Sequence, residues 1–520
     1  MFALALGFAC GLPAQSRASS SAQPKDLLDL VPDGAWLVLS TANLGELWDS
    51  LAGMFLPLPG VVGERYGPQI GIGKVALTAA LGVSIDDLVR TFSRQVVFAI
   101  VPTSRGPAPL LLASIADDQH ARLEAWKERL GGKLALAFAD GHVRASDRAE
   151  VLDSLRPATV SSPRAANPRR GLRAEVNLSS LRTALARGRL LWTGLDAGGR
   201  FLVGPLAGWF DGASTLSAEL HFAEHGRGLT AALTVGSGKA LEGHPSAVLL
   251  ATDVAKVVPV SASDLGRVGL GRSLSALFQH ARTLLSEDDA AKLESSLSIA
   301  DALVGGRSVV KDLLPALGPL ALHVTQADPQ GDSGPRITLP GFVLSVPVAS
   351  ERAQKMLVTL FKNLATVQAM ERAQAGKVPF ALEITQVEGL RLHTLSIPEW
   401  NGVGAPPFEV AASPTLILAH GHAIVASTSK AALQIARALA SSEREEVAVD
   451  EFVVRGQALS RLVLQNAKIV ALGRLLDEGE SLEPARWFTK ALADVLGAVA
   501  EFRVSWDKHT LALELTRGKP

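Results

Sequence analysis

The feature that most constrains this chain is that it repeats itself. Six segments recur in one order in its two halves, too far apart for a solenoid period, which makes the chain a duplication of one long unit. Pro32–Thr41 opens the first half and Pro245–Thr252 the second, each read as a strand leading to a short helix. An acidic helical step, Ile85–Leu88 or Val310–Leu313, then feeds a strand at Val96–Val101 or Leu320–Val324. A buried strand and a helix follow: Leu110–Ile115 with Asp118–Leu130, and Phe342–Val346 with Ser350–Ala365. In the second of these helices Ala353, Met356, Leu357, Leu360, Phe361 and Leu364 recur at helical spacing.

Hairpins come next. Leu134–Ala139 turns at Asp140-Gly141 and returns through His142–Ala145, and Thr415–Ala419 turns at His420-Gly421 and returns through His422–Ala426. Asp147 with Glu150 forms a capping box for the following helix, and Ser427 or Ser429 is expected to cap its counterpart. Strand-helix pairs follow at Leu172–Leu185 and Phe452–Leu464. Long hairpins close each half, Ser214–Ala223 with Gly228–Val235 and Val499–Trp506 with Thr510–Thr516.

The expectation is an α+β fold of two similar halves, each a mainly antiparallel sheet with helices packed on one face. The boundaries are 1–24 for a signal peptide and polar linker, 25–238 for the first half and 239–520 for the second, with a helical insertion near 272–306.

Composition narrows the function. Lys+Arg and Asp+Glu both number 51, and no basic block stands out, which argues against a nucleic-acid partner or a charge-anchored membrane surface. Hydrophobic residues reach 48% but aromatics only 5%, so the apolar content is mostly Leu, Ala and Val. After the N-terminus no run of about 20 apolar residues is uninterrupted, so no transmembrane span is expected in the mature chain. Met1–Pro13 is almost purely apolar, ends near small Ala14, and is followed by polar Gln15–Lys25, the pattern of a cleaved signal. It lacks a basic first segment, so the start site could lie within a longer signal. The sole cysteine, Cys10, falls inside this segment. The mature chain would then have neither a disulfide nor a thiol nucleophile, and a lipid on Cys10 is the minor alternative.

Leu28-Asp29-Leu30-Val31-Pro32-Asp33-Gly34-Ala35-Trp36 and Asn43–Trp48 resemble the opening of a broad class of uncharacterised exported bacterial proteins with duplicated strand and helix units. The acidic-Leu-Leu-x-x-Leu-Gly step of that class is matched by Asp312–Gly318. The resemblance implies export to the periplasm or beyond, and duplication. It carries no catalytic residues.

The motifs that could carry chemistry each have a plainer reading. His221-Phe222-Ala223-Glu224-His225 matches the H-x-x-E-H zinc peptidase pattern, which needs both histidines on one helix face. Alternating Leu216, Ala218, Leu220 and Phe222 instead make the segment a strand entering a turn. His420 and His422 could share a metal with a third ligand, but sit at a hairpin tip. Gly71–Lys74 and Gly266–Gly271 lack the strand-then-helix context of a nucleotide site and read as flexible loops. The acidic pairs Asp86-Asp87 and Asp117-Asp118 and the run Glu287-Asp288-Asp289 stand where helices begin, where acids cap free amides.

No catalytic, cofactor-binding or metal residue is therefore assigned, and no cofactor is expected. The reading leans away from an enzyme and toward a binding or scaffold protein of the cell envelope, with a small apolar ligand or an envelope protein as partner. The alternative is a metal-dependent hydrolase using His221, Glu224 and His225 or His420 and His422.

Overall fold

The computed structural model describes residues 26–55, 87, 89, 91–92, 94–115, 119, 123–124, 135–139, 141–153, 155, 171–180, 213–223, 228–236, 255–257, 264–327, 338–397, 413–441, 445–447, 450–477, 479, 481–506 and 510–517. It mixes helix and strand, the strands pairing in antiparallel fashion. The residues group into two compact units. The first takes in those up to 190, those from 210 to 239 and Ala512–Arg517, and the second those from 240 to 511.

In the first unit, β1 (Leu37–Thr41), β2 (Val96–Thr103), β3 (Gly106–Ser114), β4 (Ala135–Ala139), β5 (His142–Ser146), β6 (Gly171–Asn177), β7 (Thr215–Phe222) and β8 (Gly228–Gly236) pair in the order β4-β5-β3-β2-β1-β6-β7-β8. Successive side chains of a strand point to opposite faces. Val97, Ala99 and Val101 of β2 and Leu110 and Leu112 of β3 thus share one face. They pack there against Leu27, Leu28, Leu30 and Val31 of a short 3-10 turn and against Val151 of helix α2 (Ala149–Asp153). The residues of opposite parity, Val96, Leu111 and Ala113, meet Leu123 and Leu44, the latter opening α1 (Leu44–Phe55).

In the second unit, β9 (Ala255–Val257) pairs only with β17 (Glu445–Val447) among the described residues. Strands β10 (Gly266–Leu270), β11 (Leu320–Ala327), β12 (Leu339–Pro347), β13 (Ala381–Val387), β14 (Leu390–Ser396), β15 (Thr415–Ala419), β16 (His422–Ala426), β18 (Asp450–Val454) and β19 (Val499–Trp506) pair in the order β13-β14-β15-β16-β12-β11-β10-β18-β19. Its helices are α3 (Leu274–Gln279), α4 (Ala281–Leu284), α5 (Glu287–Leu303), α6 (Glu351–Gln374), α7 (Ser429–Ala440), α8 (Gly456–Gln465), α9 (Ala467–Asp477) and α10 (Leu482–Gly497). The last strand, β20 (Thr510–Arg517), lends its final six residues to the first unit, where Leu515 packs beside Leu47 and Phe222.

Helices cover both faces of each sheet rather than one. In the second unit Val343, Ile417 and Ile424 pack under α7, through Ala432, Ile435 and Leu439. Val346, Leu416 and Ala423 pack on the other side against α6, through Ala353 and Met356. The one-face expectation fails because β12, β15 and β16 carry apolar residues at both parities, as strands buried on both faces do.

The local signals that position these elements are mostly conventional. Asp26 caps the 3-10 turn by accepting from the Leu28 amide at 2.9 Å. Ser286 caps α5, accepting from the Asp289 amide at 3.3 Å, and the acidic run at 287–289 fills its first turn. The cap of α7 is Thr428, whose hydroxyl accepts from the Ala431 amide at 3.2 Å, rather than Ser427 or Ser429. Ser427 is occupied elsewhere, accepting from the Phe342 amide at 3.0 Å.

The Asp312–Gly318 step is a helical turn that delivers the chain into β11. Leu313 and Leu314 are buried in it, and the Gly318 amide donates to the Pro347 carbonyl at 2.9 Å. A Cβ at Gly318 would come within 2.9 Å of Pro347, so this glycine is set by packing. Pro245–Thr252, expected to open the second half, lies outside the described residues.

Candidate functional site

The most concentrated set of buried ionisable residues among those described lies around β10. The segment Gly266–Gly271, read from sequence as a flexible loop, instead forms the inner strand β10 over Gly266–Leu270, flanked by β11 and β18. Arg267 stands opposite His323 of β11 and Val453 of β18, and Gly269 stands opposite Ala321 and Glu451. Arg267 and Gly269 share a face. The missing side chain at 269 gives Glu451 its place, since a Cβ there would lie 3.1 Å from Glu451 Cγ. At Gly266 the constraint is harder: a Cβ would lie 2.4 Å from the Val453 carbonyl oxygen.

Two ion pairs result. Arg267 pairs with Glu451 and Arg272 with Asp450, and all four side chains are buried. Asp450 also accepts from the Gly271 amide at 2.7 Å. The Arg272 guanidinium lies 5.9 Å from the centroid of Trp506, the register partner of Asp450 on β19. From Glu451 the charges continue outward: Arg503 is 4.0 Å away, Glu501 is 3.2 Å from Arg503, and Arg455 is 3.9 Å from Glu501. These last three are only half-buried, so the chain of alternating charge runs from the core toward solvent.

Burial governs the protonation states. It pushes Asp450 above the usual aspartate range, against the pull of the Arg272 charge and of hydrogen bonds from Arg272, the Gly271 amide and Trp506. It lowers His323 from 6.5 to about 4, and the Arg267 charge opposite adds to the shift. His323 is therefore neutral at neutral pH. Its Nδ1 is 3.9 Å from Asp264 Oδ2, too far for a hydrogen bond. Removing one member of a buried pair leaves an uncompensated charge, at a cost of roughly 3–5 kcal/mol. The arrangement therefore favours the observed register of β10 against β18.

The first unit carries a lighter polar group in its own sheet. Buried Ser40 of β1 faces Arg173 of β6, and Arg173 lies 3.8 Å from Glu219 and 4.0 Å from Glu175. Leu28, Val38, Ser40, Arg173 and Glu175 line a narrow crevice there.

The histidines singled out from sequence fall elsewhere. His221 is on β7, 48% exposed, with Nε2 3.4 Å from Glu219. The chain at 221–222 is strand, so the helix an H-x-x-E-H site needs is not formed at those positions. Glu224 and His225 lie outside the described residues. His420 and Gly421 form the β15–β16 turn, both with positive φ as a type I′ turn requires. His422 Nδ1 donates to the His420 carbonyl at 3.1 Å. Among the described residues no three or more His, Cys, Asp or Glu side chains group as metal ligands. Gly71–Lys74 and Cys10 lie outside the described residues.

Sequence reasoning missed the ion pairs of β10. Arg272 and Asp450 are 178 residues apart, and no local spacing announces them. The one available signal was Arg267 within a run otherwise made of Gly, Val and Leu, a charge that a buried strand would have to pair. The chain matches no protein-family model and no curated protein.

Proposed function

We propose that this is an exported, non-enzymatic binding or scaffold protein of the bacterial cell envelope, built from two similar halves. One observation carries the binding role. The second unit presents apolar side chains to solvent on neighbouring elements: Leu364, Val367 and Met370 on α6 and Ile384 on β13. Isolated exposed apolar residues are ordinary, but a run on one helix and its adjoining strand is what an interaction surface requires. The buried charges around β10 meanwhile engage one another, which suits a structural role better than a catalytic one.

Two similar halves are supported by the strand orders. The order β4-β5-β3-β2-β1-β6-β7 of the first unit has a counterpart in β15-β16-β12-β11-β10-β18-β19 of the second. On this reading β13 and β14 are an insertion in the second half, as is the helical segment at 274–303. Export is supported by the apolar Met1–Pro13 segment and the polar stretch after it. Among the described residues no helix is long and apolar enough to cross a membrane.

Fusing residues 1–25 to an alkaline phosphatase that folds only outside the cytoplasm tests export. An active fusion is expected, with cleavage near Ala14 or Ala18. An inactive, uncleaved fusion would contradict it.

A further inference from the structure

We propose that β13 is a dimerisation edge, pairing antiparallel with β13 of a second copy of this chain about a two-fold axis at Ile384. The inference does not depend on export or on the envelope role. Among the described residues β13 has one strand partner, β14, so its outer row of backbone groups faces away from the sheet. Natural edges of this kind are normally blunted by shortness, proline, lysine or a bulge. Here the strand is seven residues long, Ala381-Leu382-Glu383-Ile384-Thr385-Gln386-Val387, with no proline and no basic residue. Residues 383–387 are all exposed, whereas Leu392 and His393 of β14 opposite Thr385 and Ile384 are buried, so β13 is the uncovered margin of the sheet. The hairpin is nevertheless firmly built. Glu388 and Gly389 both take positive φ in a two-residue turn, and Arg437 of α7 holds the Glu388 carboxylate, with Nε at 3.0 Å.

The sequence of the strand selects its own copy as occupant. Ile384 is the midpoint of the seven residues, so a two-fold axis there overlaps the whole strand. Ile384 then meets Ile384 of the second copy, Leu382 meets Gln386, and Ala381 meets Val387. The only charge, Glu383, falls opposite Thr385, and no like charges are opposed. Glu383 is already tied to Ser396 on β14. Pro379 lies two residues before the strand and would end the pairing there.

The test uses the full chain carrying Cys10→Ser. Sedimentation velocity at micromolar concentration should give a dimer. Ile384→Lys places two like charges at the axis and should weaken it roughly a hundredfold. Ile299→Lys, on the 61%-exposed Ile299 of α5, should leave the dimer unchanged. Directly opposed residues across such a pair lie within disulfide reach. Ile384→Cys should therefore give a cross-linked dimer on mild oxidation, and Val387→Cys, opposite Ala381, should not. A monomer at all concentrations would overturn the proposal and leave the edge to an extended segment of another protein. A dimer indifferent to Ile384→Lys, or cross-linked equally well through position 387, would overturn it too.

Discussion

His323 stands opposite Arg267 and Asp450 pairs with Arg272, and burial moves the protonation of the two in ways that oppose each other in stability. His323 titrates near 4 in the folded chain and near 6.5 when unfolded. Between these values the unfolded chain binds the proton and the folded chain does not, so stability falls as pH is lowered through that window. The full shift corresponds to about 3 kcal/mol. Asp450 is raised, so from the ordinary aspartate value upward the folded chain holds its proton longer than the unfolded one, and stability falls as pH rises there. Between pH 6.5 and about 4, acidification should lower the urea midpoint of the native chain relative to that of His323→Gln, the Asp450 contribution being common to both. An equal slope in the variant would show that His323 is not the group responsible.

Strand β10 shows what was and was not legible at the level of elements. Other strands of its sheet were readable because they alternate or run apolar: Thr415–Ala419 and His422–Ala426 are as expected, and the expected Leu320–Val324 and Phe342–Val346 are the inner parts of the longer β11 and β12. The glycines of β10 argued for a loop, because glycine weakens strands and permits turns. Their reason is steric and non-local. Gly266 lets the backbone of β18 approach, and Gly269 leaves room for Glu451. Gly266→Ala should accordingly destabilise by about 1–3 kcal/mol, because the obstruction is backbone. Gly269→Ala should cost less, because a Glu451 side chain can shift. Thermal melts that rank the two the other way would contradict this account of the strand. The β13–β14 hairpin was missed for a different reason. Its alternation is short, Leu382 and Ile384 with Glu383 and Thr385 and then Leu390 and Leu392 with Arg391 and His393, and Glu388-Gly389 marked the turn.

At the scale of the whole molecule, the mixture of helix with antiparallel strands was legible from the alternation of strand, hairpin and helix signals, whereas β10, β13 and β14 are strands that those signals did not include. The candidate site was not legible, since its ion pairs join strands far apart in the chain. The histidine motifs, conspicuous in sequence, fall on an exposed strand and a hairpin tip, where His221 contacts Glu219 and His422 contacts the His420 backbone. In the proposed reading the buried ionisable residues are structural and the exposed apolar residues of α6 and β13 are the binding surface. Native mass spectrometry of the chain isolated from the cell envelope, with and without prior chelation, tests this most directly. A processed chain free of stoichiometric metal and carrying a second copy, a lipid or a peptide is the expected result. A stoichiometric metal that is lost on replacing His221 or His422 would contradict it and favour the hydrolase.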